Sequence, residues 1–395
     1  MDFEIPPQTS QFEREIDRLM NSSEIQSLVR EVSARADGMD GDVRPLYRRL
    51  GEHGVLAPAW PRHLGGRDAD FTATVVLLER LVRHGIPQSL YYISVQIFGS
   101  LILAGGTEKQ RSELLPALAR GELTACILFT EPDHGSDLAG ITTTASRDGQ
   151  EWVLEGRKIY NLKSAYADVA LCVARTGGPD TSRYEALSVF LVPLDAPGVT
   201  VRPLPSLANE QFHDVRLTGV RLPDEAIVGG VGQGWGLITR MFSAERSGLD
   251  YYVRARYWLD MIAERLVRGG RELEPHECAA LDRARTRVDA SRLLTCRALQ
   301  RLQDDEPDIA LASLAKWHCS ETAQEVAWLG YDLLGLDLVL PRFDLGEPAV
   351  GPDRGWAALE AAHREAPGMG ISGGASEVLL DIVAGARLID VPEGG

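Results

Sequence analysis

The chain has 395 residues, 44% hydrophobic and 25% charged, with a formal net charge of −16. That length buries a large core in two or three structural units, and the acidity argues against nucleic acid or an anionic membrane as partner. The first twenty residues are charged and do not read as a secretory leader. No apolar run is long enough to span a bilayer. Cys126, Cys172, Cys278, Cys296 and Cys319 are scattered, without a CxxC pair. They point to free thiols in a reducing cytoplasm, not to a disulfide scaffold or a zinc site.

Residues 1–123 predict a helical unit. Ser10-Gln11-Phe12-Glu13 has capping-box spacing and opens an amphipathic stretch to Ala36. Asp42 to His53, Phe71 to His84, Ser89 to Ala104 and Glu108 to Arg120 follow as helices, the last stopped by Gly121. Residues 124–232 predict a β unit, a small barrel or sandwich. Its strands are Glu151 to Glu155, Val169 to Ala174, Leu187 to Val192, Val199 to Leu204 and Val215 to Leu222. Residues 233–395 return to helical periodicity: Trp235 to Val267, Glu277 to Leu302, Ile309 to Leu334 and Ala375 to Leu388. The fold class is α+β. Gly229 to Gly234 is glycine-rich but follows no βαβ pattern, so it reads as a crossover into the bundle.

The segment Thr130-Glu131-Pro132-Asp133-His134-Gly135-Ser136-Asp137 offers hydroxyl and backbone donors to a ring edge and to phosphate oxygens, and Gly135 permits close approach. Taken alone it is a polar turn between two elements. No HExxH or HxH spacing marks a metal site, and no GxSxG marks a nucleophile elbow.

The order of the pieces resembles the acyl-CoA dehydrogenase family over nearly the whole chain. The pieces are Gly106-Thr107-Glu108-Lys109-Gln110, the TEPxxGSD segment, Gly156-Arg157-Lys158-Ile159-Tyr160, Val220-Arg221-Leu222-Pro223, Gly232-Gln233-Gly234-Trp235 and Gly373-Gly374-Ala375-Ser376-Glu377-Val378. The resemblance implies an N-terminal helical domain, a central β domain and a C-terminal four-helix bundle. It also implies FAD as cofactor and an acyl thioester as substrate, carried on coenzyme A or an acyl carrier protein. A homo-oligomer, dimer or tetramer, is expected, with a flavoprotein or oxygen as electron acceptor.

The implied chemistry needs a base for the α-proton, flavin N5 as hydride acceptor, and donors for the thioester carbonyl. Many family members carry the base just before the glycine of the C-terminal motif. Here that position is Gly373, which has no side chain. A branch resembling isovaleryl- and long-chain acyl-CoA dehydrogenases places the base on a bundle helix before an arginine. That pair is Glu245-Arg246 here. Glu245 is therefore the expected base, and a solvated helix carboxylate is the alternative. The Gly373 backbone N–H remains available to the thioester carbonyl, with Arg246 and Gly374 on the substrate side.

For the flavin, the resemblance implies Phe129 and Thr130 at the isoalloxazine, and Gly135 and Ser136 at the pyrophosphate. Tyr160 stands where the family usually has Trp, and Leu162 where a Ser or Thr approaches N5. Arg265 fits an arginine that reaches FAD on a neighbouring subunit; a surface charge is the other reading. Gly335 ends a divergent interface loop, and Glu377 belongs to the C-terminal motif. Ala375 and Leu379-Leu380 replace the usual Thr and Gln-Arg. Two other readings stay open: a catalytically silent subunit of a hetero-oligomer, and an oxygen-using oxidase or monooxygenase on the same fold.

Overall fold

The computed structural model describes residues 6–32, 41–178, 180–208, 210–335 and 354–388. The expected Ala36 end of the first helix lies outside the described residues.

The N-terminal unit is helical. The first amphipathic stretch is two helices, α1 (Pro7–Met20) and α2 (Ser23–Val32). Ser10 is not the cap: helix α1 starts at Pro7, whose fixed φ suits a first helical position. The break falls where the Asn21 amide donates to Asp17 O and Ser22 Oγ accepts from Ile25 N, side-chain bonds that compete with a continuous helix. Phe12, Ile16 and Met20, four residues apart, face α4 (Phe71–Arg83), and α3 (Arg44–Glu52) packs on α2. Short α5 (Ser89–Tyr91) runs through a π-helical stretch, Tyr92–Phe98, into α6 (Gly99–Gly105). This run joins the units: Ser94 Oγ donates to Ala125 O, and the Tyr92 hydroxyl donates to Glu245 O. Helix α7 (Glu108–Ala119) opens with a Thr107–Gln110 capping box.

The central unit is an eight-stranded sheet: β1 (Ala125–Leu128), β2 (Thr144–Asp148), β3 (Glu151–Leu162), β4 (Val169–Arg175), β5 (Leu187–Pro193), β6 (Val199–Leu204), β7 (Phe212–Pro223) and β8 (Ile227–Val228). The strand order is β6-β7-β3-β2-β4-β5-β8, with β1 parallel to β4. Strands β1, β2 and β8 were not legible in the sequence, and β3 and β7 each span twelve residues, longer than the expected strands. The β3–β7 ladder shifts register between Lys158 and Asn161, and within that bulge Tyr160 has φ +57°. A tyrosine in the left-handed region is unusual, and a bulge re-aims side chains.

The C-terminal unit contains α8 (Gly234–Glu245), α9 (Leu249–Gly269), α10 (Pro275–Gln303), α11 (Ile309–Leu334), α12 (Arg354–Met369) and α13 (Ser376–Leu388). The single helix expected from Trp235 to Val267 is two helices. Gly248 at φ +81° turns the chain between them, so Glu245 and Arg246 stand at a helix end. Helix α12 was not foreseen. Helix α11 packs against α8, α9, α10, α12 and α13, and its buried Ala312, Ala315, Cys319, Ala323 and Ala327 let these neighbours approach closely.

A Cβ on Gly248 would lie 2.6 Å from Cys319 Sγ and 3.0 Å from Ala315 O. Gly248→Ala combines that crowding with an unfavourable φ, and is expected to cost about 1–3 kcal/mol. The denaturant midpoint should fall; an unchanged midpoint contradicts this packing.

Candidate active site

Two clusters of sequence-selected residues form separately. The first lies where the end of α8 meets the turn at residues 369–374, before α13. Gly373 has φ +67° and Gly374 φ +111°. A Cβ built on Gly373 would sit 3.1 Å from the Tyr251 hydroxyl, 3.6 Å from Glu245 Oε1 and 3.7 Å from Lys316 Cε. The Glu245 carboxylate therefore occupies the space in front of the glycine. Arg246 is buried, its guanidinium carbon 4.2 Å from the centroid of the Phe242 ring. Its Nε donates to Gly373 O at 3.2 Å. A Cβ on Gly374 would meet that same Nε at 3.5 Å, so Glu245, Arg246, Gly373 and Gly374 form one site.

The turn is held at further points. Lys316 Nζ donates to Met369 O and Gly374 O, each at 2.8 Å, and the Tyr251 hydroxyl donates to Ser372 O at 3.2 Å. Among the described residues the Gly373 N–H has no acceptor. Burial pushes the Glu245 carboxyl above the ordinary carboxylate value, against the pull of the Arg246 and Lys316 charges. Burial likewise lowers Arg246, opposed by Glu245, and brings Lys316 down to about 8.

The second cluster lies at the end of β1. Glu131 is buried and accepts from Thr142 N, Thr142 Oγ1, Thr143 N and Lys158 Nζ at 2.6–2.9 Å. Lys158 also donates to Phe129 O at 3.1 Å, and Ile159 N donates to Thr130 O at 2.9 Å. Burial alone would raise the Glu131 carboxyl; Lys158 and the threonine donors outweigh it and hold it at about 2. These bonds fix Phe129 and Thr130, leaving the segment beyond them open. Gly135 and Ser136 are exposed, and among the described residues their N–H groups have no acceptor. Tyr160, next in the chain to the Ile159 that pairs with Thr130 O, is 61% exposed and meets Phe212 edge-on, with Leu162 half-buried on the same strand. An exposed aromatic and open backbone donors, on two segments joined by the Ile159–Thr130 bond, fit a planar ring system with a phosphate tail, which is what FAD presents.

Arg265, Gly335 and Glu377 join neither cluster within one chain. Arg265 lies ~24 Å along α9 from Leu249. Gly335 caps the far end of α11, and Glu377 is exposed in the first turn of α13. An open groove of about 1000 Å³ runs along Ser164 to Asp168 and Pro203 to Ser206 of the β unit, but neither Glu245 nor Gly373 lines it. The sequence pattern did not reveal Tyr251, Ser372 or Lys316 as neighbours of the base, because their contacts cross from one helix or turn to another.

Three domain profiles of one family match consecutive stretches of the chain. They are the acyl-CoA dehydrogenase N-terminal domain at residues 8–122, the middle domain at 126–220 and the C-terminal domain at 232–388. The acyl-CoA dehydrogenase FadE26 of Mycobacterium tuberculosis is 28% identical over 361 residues, 88% of this chain and 87% of the relative. The acyl-CoA dehydrogenase IpdE1 of the same organism is 27% identical over 356 residues, 88% of each. The solved structure of the Tcur3481-Tcur3483 steroid ACAD is 27% identical, with a TM-score of 0.83 over 98% of this chain and 99% of that one. These relatives do not support a place in the isovaleryl- or long-chain branch.

Removing the ammonium at residue 158 leaves the Glu131 charge buried and unpaired, so Lys158→Met is expected to cost about 3–5 kcal/mol near neutral pH. The lowered Glu131 value means the pair stabilises above the ordinary carboxylate range and stops doing so as pH falls toward about 2. The stability gap between wild type and variant, read by denaturant titration, should therefore narrow between about pH 5 and pH 2. A gap constant with pH contradicts the pairing.

Proposed function

The chain belongs to the acyl-CoA dehydrogenase family, FAD-dependent oxidoreductases acting on CH–CH bonds of acyl thioesters, and from that premise we propose that Glu245 is its α-proton base. The observation that carries this is the placement of Glu245 Oε1 3.6 Å from where a side chain on Gly373 would begin. The carboxylate missing from residue 373 is supplied from α8 into the same space.

Burial makes Glu245 a stronger base than a surface carboxylate, while Arg246 and Lys316 limit that rise. The Gly373 N–H, which has no acceptor among the described residues, donates in this reading to the thioester carbonyl, where negative charge builds as the α-proton leaves. Arg246 holds the Gly373 carbonyl, and Gly374 leaves room for the Arg246 guanidinium. Bound FAD supplies the hydride acceptor. Phe129, Thr130, Gly135, Ser136, Tyr160 and Leu162 are the residues that would hold it.

Arg265, Gly335 and Glu377 fit this reading as contacts to the flavin of a neighbouring subunit. Val267, 82% exposed, lies two positions from Arg265, and exposed Tyr331 lies four before Gly335, which supports an apolar subunit interface there. A homo-oligomer is the simplest assembly. A hetero-oligomer is the second reading, favoured by Leu162, Ala375 and Leu380 at cofactor positions. A silent role within it is disfavoured by the Glu245–Gly373 arrangement. The unit boundaries are proposed at residues 123 and 232. Among the described residues no helix is long and apolar enough to cross a membrane, and a cytoplasmic site of action is part of the same proposal.

Anaerobic bleaching of the flavin by a panel of thioesters tests the activity. The panel should span short, long and steroid-side-chain acyl groups on coenzyme A and on carrier protein. Glu245→Gln is expected to slow bleaching at least about 100-fold. Bleaching at the wild-type rate in that variant removes Glu245 from the role.

A further inference from the structure

Lysine is rare in this chain: of 41 basic residues only Lys109, Lys158, Lys163 and Lys316 are lysines, and the rest are arginine. Three of the four are buried. Lys158 holds Glu131 and Phe129 O, and Lys163 faces Glu210 at 3.5 Å. Lys316 lies in the middle of α11, 0% exposed, between the small residues Ala312, Ala315 and Cys319. Its one nitrogen reaches two carbonyls, Met369 O and Gly374 O, at 2.8 Å each. A compact ammonium does this; a planar guanidinium is too large and too directional.

A clamp alone requires hydrogen bonds and no charge, and burying a charge is costly unless an opposite one is near. Here Glu245 is that opposite charge: its Oε1 and Lys316 Cε lie 3.6 Å and 3.7 Å from the same point, a Cβ built on Gly373. We propose that Lys316 is a positioning residue of the active site: it fixes the turn at residues 369–374 against α11 and is a cation toward which the Glu245 carboxylate is held across Gly373. This rests on Glu245 being the base.

The surrounding groups define what the pair feels. On α11 itself Cys319 and Glu321 face Lys316, and Glu321 accepts from Ser376 Oγ at 2.6 Å. Arg246 at the end of α8 faces both members. Tyr251 on α9 places its ring 5.1 Å below Lys316 Nζ, with Asp250 and Arg254 behind it, and Tyr92 reaches Glu245 O from the N-terminal unit. Burial pushes both tyrosines up and the Cys319 thiol to about 11, so these three keep their protons through the neutral range. Arg246 keeps its charge there. Loss of the Lys316 charge therefore leaves burial acting on Glu245 against Arg246 alone, and the carboxyl holds its proton to higher pH.

The test uses the flavin-loaded enzyme. Anaerobic bleaching is followed from pH 5.5 to 8.5 in wild type, Lys316→Gln, which keeps a donor without charge, and Lys316→Arg. Lys316→Gln is expected to move the rising limb of the pH–rate profile to higher pH by about one unit, a loss of about tenfold at the acid end of the limb that shrinks as pH rises. Lys316→Arg keeps the charge and loses the double clamp, so the limb should stay at its wild-type position while the rate falls at every pH. A Lys316→Gln profile that is unshifted, or lowered equally at every pH, overturns the proposal. A second readout needs neither turnover nor a folded Lys316 variant. In protein labelled with [ε-13C]lysine, one of the four side-chain signals should titrate near pH 8 in wild type and at lower pH in Glu245→Gln. Lysine titrations identical in the two proteins overturn the proposal. Failure of wild type to bleach with any thioester instead strikes the reading of Glu245 as base and leaves the lysine titration to decide the pairing.

Discussion

A carboxylate held at a buried helix end, with no donor to its oxygens among the described residues, is the constraint on which this structure turns. Burial drives Glu245 toward its neutral form, and only the Arg246 and Lys316 charges oppose it. Everything around the site serves that balance. Gly248 ends α8 so that Glu245 is its last residue, and Gly373 leaves the space its carboxylate fills. Lys316 and Arg246, both anchored to the carbonyls of one turn, keep that space shaped from two sides.

The flavin-side cluster solves a similar problem differently. Glu131 is as buried as a core residue, yet three threonine donors and an ammonium keep it ionised. A structural carboxylate is thus saturated with partners, and the proposed catalytic one is left without them. That contrast separates their roles better than burial does: a group that must take up a proton is not tied down by donors.

Much of this was legible in the sequence. The three-unit order followed from periodicity, and α11 spans the residues the pattern outlined. The proposal that Glu245 stands in for a carboxylate at residue 373 could be formed from the sequence because both positions lie in short motifs that resemble the family's. Errors arose where local bonding overrode periodicity. Asn21 and Ser22 split the first helix, Gly248 split the expected helix from Trp235, and Ser10 gave way to Pro7 as the helix start. The residues that shape the surroundings of the base, Lys316, Tyr251 and Ser372, were not legible, because their contacts join chain segments 53 to 121 residues apart.

The most direct test of the central claim separates proton removal from hydride transfer. A thioester with a fully substituted β-carbon has an α-proton but no β-hydride to give. In D2O the flavin-loaded wild-type enzyme should exchange deuterium into the α-position of such a compound, detected by mass spectrometry, with the flavin remaining oxidised. Glu245→Gln, with its flavin content intact, should exchange at the rate of buffer alone. Exchange by that variant at the wild-type rate would contradict the account, because some other group would then be removing the proton.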